Sequence, residues 1–86
     1  MKLYNDTHID SSTFIRCFSH EVDEFELKWH YDEQDRIIES ISQTDWQFQF
    51  DNQLPINLNQ SITIKKGIIH RLIKGSGDLQ LKITIK

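Results

Sequence analysis

The chain has 86 residues, 37% of them hydrophobic, 10% aromatic and 27% charged, with a formal charge of −3. This length leaves room for one modest core, and the balance excludes both a disordered chain and a helical membrane protein, which needs about 20 consecutive apolar residues. Without an arginine-rich stripe, an acidic chain also lacks the electrostatic attraction that dominates nucleic-acid binding, so nucleic acid is not an expected partner.

The charge is unevenly spread: residues 1–43 carry four Lys/Arg against ten Asp/Glu, and residues 44–86 carry six against three. Such halves suit a fold that interleaves them, or a dimer with complementary faces. The opening MKLYNDTHID shows no secretory pattern, which makes a cytoplasmic location the expectation. Cys17 has no second cysteine and no CxxC neighbour, and is expected as a small core hydrophobe.

In chain order, Ser12 to Phe18 reads as a short helix or strand, with Asp10, Ser11 or Ser12 available as a cap. FELKWH (25–30) and RIIESI (36–41) read as short strands separated by the turn YDEQD. DWQFQFD alternates Trp46, Phe48 and Phe50 with Gln47 and Gln49, a strand with one buried face. SITI repeats the alternation with Ile62 and Ile64, after a connection containing DNQLP. IIHRLI (68–73) follows the turn KKG, and GSGD (75–78) looks like a tight hairpin into LQLKITIK, where Leu79, Leu81, Ile83 and Ile85 share one face. Seven or so short strands at close spacing define an all-β sandwich or barrel in one domain over residues 1–86.

At this point the sequence resembles the cupins, small jelly-roll β-barrels with two motifs flanking a hairpin. The first motif has the form HxHxxxxE. On KWHYDEQD, His30 falls on its second histidine, Asp35 on its acidic position and Lys28 on its first histidine. The second motif, PxGxxH, falls on KKGIIH: Gly67 and His70 match, and Lys65 stands where proline is usual. Asn59 and Lys74 replace the outer glycine and asparagine, and WQFQFDNQLPINL fills the hairpin between the motifs. The runs WHYDEQDR, WQFQFDNQLPI and GIIHRLIKGSGDL also look like very short, uncharacterised cupin-like proteins of bacteria and phages.

The resemblance implies an all-β cupin-like barrel of seven or eight short antiparallel strands over residues 25–86, with residues 1–24 packing on it. It also implies a divalent metal, Zn, Fe, Mn or Ni, held by His30, Asp35 and His70 with coordination left incomplete. With Asp32 in place of Asp35 the set becomes HxD plus a distant histidine, the arrangement of non-haem iron oxygenases. Spacing does not choose between the two carboxylates. Read without the motif, His70 is a strand histidine, and Asp32, Glu33 and Asp35 are turn residues.

Strand parity argues against the metal set. If Phe25, Leu27 and Trp29 line the interior, then Glu26, Lys28 and His30 face water. His30 reaches the lumen only if those apolar residues pack outward, against a second subunit or the N-terminal segment, or if a bulge resets the register. A homodimer is therefore the natural companion of the metal site. Arg36, Glu39 and Arg71 are candidates for a small anionic ligand, with Lys65, Lys66 and Lys74 adding basic charge around the second motif. Glu39 shares parity with Ile37 and Ile41 and points inward only if that face, rather than Ile38, is buried.

Three functions follow: a metal-dependent small-molecule enzyme, a metal-free ligand-binding module, and a protein-interaction module, which could be phage-borne. Neither GxSxG nor a Gly-rich phosphate loop occurs, so a serine hydrolase and a P-loop nucleotide site are not expected.

Overall fold

A computed structural model describes residues 3–86. Among the described residues eight strands run in chain order: β1 (Asn5–His8), β2 (Thr13–Phe18), β3 (Arg36–Ser40), β4 (Gln47–Phe50), β5 (Ile56–Asn57), β6 (Ile62–Ile64), β7 (His70–Ile73) and β8 (Leu79–Ile85). Five form one sheet in the order β1-β2-β8-β3-β6, and three form another in the order β5-β4-β7. All pairings are antiparallel.

Period-two alternation builds the core between the sheets. On the large sheet, Phe14 faces Ile83 and Phe18 faces Leu79 across β2 and β8, while Ile38 lies opposite Ile83 on one side and Ile62 on the other. All are buried, and Trp46 and Phe48 meet them from the small sheet. Full burial of each such side chain contributes roughly 1.5–3 kcal/mol. Trp46 also donates its indole N–H to the Gly77 carbonyl at 2.6 Å, so its one polar group is satisfied in the interior.

The two halves of the chain interleave, since β8 lies between β2 and β3. Lys82 stands opposite Glu39 in that register, placing a basic residue of the second half against an acidic one of the first. The N-terminal segment supplies β1 and β2 to the large sheet itself.

Several local expectations are corrected. Residues 25–30 are not a strand: Glu24–Glu26 form a single 3-10 turn capped by Asp23, and among the described residues the only ladder contact is an isolated bridge between His30 and His70. Phe25 is 80% exposed and Trp29 42%, while Leu27 packs against the core, so no alternating face exists there and the parity objection to His30 lapses. GSGD is not a hairpin turn, because β7 and β8 lie in different sheets. Cys17 is half-buried rather than core, having the parity opposite to Phe14 and Phe18. Between the motifs the hairpin is present, pairing Gln47 with Asn57 and Phe48 with Ile56 through a turn in which Asn52 adopts φ 61°.

Candidate metal and ligand site

The reciprocal backbone bridge, His30 N–H to His70 O at 3.0 Å and His70 N–H to His30 O at 2.9 Å, sets the two histidines side by side. Their rings meet edge to face at a centroid distance of 4.4 Å, and the His70 ring stacks on Phe48 at 5.3 Å. On β7, parity turns His70 and Leu72 inward, which leaves His70 only 4% exposed. The His30 side chain, on the loop, is 54% exposed.

Both imidazoles have a fixed tautomer. His30 Nδ1 lies 3.0 Å from the Lys28 carbonyl and His70 Nδ1 lies 2.8 Å from the Ile68 carbonyl. A carbonyl only accepts, so each Nδ1 carries a proton, and in the neutral ring each Nε2 keeps its lone pair. Both Nε2 atoms approach one carboxylate, Asp32: His70 Nε2 is 3.3 Å from Oδ2 and His30 Nε2 is 4.0 Å from Oδ1. Ligand atoms of His30, Asp32 and His70 lie within 4.8 Å of one another. Two donors on one ion stand no more than about 4.4 Å apart, so small rotamer changes would close this group on a cation. A backbone bond from Gly67 to the Asp32 carbonyl, 2.9 Å, ties the Asp32 loop to the turn before β7, where Gly67 takes φ 82°.

Burial of the ring holds the His70 pKa below its ordinary 6.5, with further lowering from the neighbouring His30 and Arg36. The bond to Ile68 and the charge of Asp32 oppose this without cancelling it. His70 is thus kept in the neutral form that a metal ligand requires.

Asp35 does not join the histidines. Its carboxylate accepts the Lys66 backbone N–H at 2.8 Å and faces Lys65 Nζ at 3.8 Å, so it braces the β6–β7 turn. Asp32 is the carboxylate that stands with His30 and His70. Glu39 points outward from β3, since the buried face of that strand carries Ile38. Arg71, on the outer parity of β7, bonds Gln49 at 3.0 Å and lies 4.4 Å from the Trp29 ring centroid, away from the histidines. Arg36 does reach the site, with Nε 3.8 Å from Asp32 Oδ2.

The group opens on a cavity of about 400 Å³ between the sheets, walled by apolar residues such as Ile38, Ile64, Leu72 and Leu81. That volume suits a small organic ligand. Lys28, which stands at the first histidine of the first motif, also lines it, as do Tyr4 and Arg16, neither of which the motifs single out. Arg16 was visible in principle: in TFIRCF it shares the face of Phe14 and Phe18.

No family model matches the sequence, and no curated protein matches it closely enough to count as a relative. Solved structures do resemble the fold. A cupin-2 domain protein from Shewanella frigidimarina superposes with a TM-score of 0.63 at 16% identity, over 96% of this chain and 78% of that one. A cupin domain protein from Bordetella pertussis gives 0.57 at 14% identity, over 100% and 98%. A chain from the crystal structures of the DMSP lyases RdDddP and RnDddQII gives 0.68 at 12% identity; it is matched over 86% of this chain, which spans only 37% of it. The chain therefore has the cupin fold. Within that fold, His30, Asp32 and His70 stand together at the edge of a cavity whose walls are mainly apolar.

Proposed function

We propose that this protein holds one divalent cation through His30 Nε2, His70 Nε2 and the Asp32 carboxylate, and uses it on a small molecule bound in the adjoining cavity. The observation that carries the reading is the convergence of two Nε2 atoms, both freed by Nδ1–carbonyl bonds, on one carboxylate. Hydrogen-bonding the second ring nitrogen to a carbonyl is how proteins fix a ligating histidine. Two imidazoles and one carboxylate suit Zn, Fe(II), Mn or Ni and leave positions open. A bound cation would supply Lewis acidity toward a carbonyl or carboxylate oxygen. The chain's own residues contribute the rest: Phe48 and Leu72 exclude water beside His70, and the exposed edge of His30 lies toward solvent, where a ligand enters.

Elemental mass spectrometry on tag-free protein reconstituted with each of the four metals tests this. Near-stoichiometric metal in the wild type, lost in both His30→Ala and His70→Ala, is expected. Absence of metal from the wild type would refute the proposal.

A further inference from the structure

Two arginines line the cavity, and their donors are in different states. Both Arg16 Nε and Nη2 are spent on Asp6, at 2.8 and 3.0 Å, and its guanidinium lies 3.7 Å from the Tyr4 ring centroid. Arg36 is less committed. Its Nε is shut off from solvent yet has no hydrogen-bond partner among the described residues, the nearest Asp32 oxygen being 3.8 Å away. On the same side chain, Nη2 makes only a long contact to Gln34, 3.4 Å. A charged donor buried without an acceptor is costly, and an acceptor brought by a ligand recovers that cost.

We propose that the cavity takes a small monocarboxylic acid with an apolar body, its carboxylate accepting from Arg36 and its body lying between the apolar walls of the two sheets. The inference rests on the reading of the cavity as a ligand site given above. A guanidinium offers a planar pair of donors that matches a carboxylate. The other charged groups lining the cavity are Arg16, already neutralised by Asp6, and Glu26, Lys28 and Asp32. With Asp32 beside Arg36, a singly charged acid is favoured over a phosphate dianion. Ile38, Phe48, Leu72 and Leu81 offer the remainder of the ligand nothing but apolar contact. Arg36 lies next to the His30, Asp32, His70 group, so an acid held there has its carboxyl end at the site of the proposed cation.

The test is calorimetric titration of chelator-treated protein with hexanoate, hexanamide and pentyl phosphate, for wild type, Arg36→Met and Arg36→Lys. Hexanoate should bind the wild type at least about tenfold more tightly than hexanamide or pentyl phosphate, as expected for a charge-assisted pair. Arg36→Met should lose about tenfold or more, and Arg36→Lys an intermediate amount. Circular dichroism checks that each variant folds; if Arg36→Met does not, Arg36→Lys carries the comparison. Undiminished hexanoate affinity in the folded variants, equal affinity for hexanamide, preference for the phosphate, or no hexanoate binding by the wild type would each overturn the inference. Uptake of zinc, iron, manganese or nickel, measured separately, reports on the cation alone. Hexanoate binding without uptake of any of the four metals would uphold the acid site and remove the metal reading, and metal uptake without hexanoate binding would do the reverse.

Discussion

Asp32 and Asp35 differ by three positions and by their surroundings, and exchanging each for asparagine separates their roles. Asp32 is 13% exposed and lies 3.3 Å from His70 Nε2, 4.0 Å from His30 Nε2 and 3.8 Å from Arg36 Nε. Asp32→Asn preserves shape and one oxygen but removes the only anionic donor of the three. Replacing residues that merely support metal ligands already costs about 10–100-fold in affinity. Loss of this donor should therefore cost at least about 100-fold, or about 2.8 kcal/mol. Asp35→Asn keeps an oxygen to accept the Lys66 N–H and leaves the histidines untouched, so zinc affinity should stay within about twofold, well under 1 kcal/mol. Competition titration against a chromophoric zinc chelator at fixed pH and ionic strength reads both numbers. A large loss in Asp35→Asn with wild-type affinity in Asp32→Asn would refute the assignment of the carboxylate.

The remaining predictions concern pH and packing. Because the folded pKa of His70 lies below 6.5, the unfolded chain binds more protons in the window between the two values. Its contribution to the stability of metal-free protein is therefore complete above pH 6.5 and is lost as pH falls through the lower folded value. Urea midpoints measured across that window should decline in the wild type and much less in His70→Phe; parallel declines would contradict this. Asp10, Asp45 and Asp78 are held below the ordinary 3.8 first of all by backbone N–H bonds from Ser12, Ser76 and His20 respectively, so their contributions are complete above 3.8 and are lost only as pH falls below it. At Gly75 an added Cβ would stand 2.7 Å from the Trp46 backbone nitrogen and would also crowd the Asp45 carboxylate, whereas at Gly77 it would meet nothing within 4 Å. Gly75→Ala should cost about 1–3 kcal/mol and lower the thermal midpoint by several degrees, while Gly77→Ala should be near neutral; equal midpoints would show that the β7–β8 connection yields freely.

Where alternation coincides with burial, the fold is legible in the residues. LQLKITI, SITI and WQFQF each mark a strand, because one face meets the core and the other meets solvent. β1 escapes such reading since Asn5–His8 are exposed throughout, and β5 is two residues long. FELKWH misleads for the opposite reason: Phe25, Leu27 and Trp29 alternate, yet among the described residues the segment pairs only through the isolated His30–His70 bridge, and of the three only Leu27 packs inward.

The site divides in the same way. His30 and His70 were found through motif spacing, and the structure brings them together across the isolated bridge. The first motif puts Asp35 at its acidic position while spacing leaves Asp32 open as the alternative; the loop brings Asp32 to the histidine Nε2 atoms and leaves Asp35 bonded to the turn that carries Lys65 and Lys66. Arg36 is separated from Arg71 by strand parity, one facing the cavity and the other stacked on Trp29. Such distinctions depend on loop path and sheet assignment, which pairwise spacing does not encode.

The most direct test of the central claim is a crystal structure of the zinc-supplemented protein with anomalous data collected at the zinc edge. One peak about 2.0–2.2 Å from His30 Nε2, His70 Nε2 and an Asp32 oxygen is the predicted result. A map with no peak there, or with zinc bound at Asp35 instead, would contradict it.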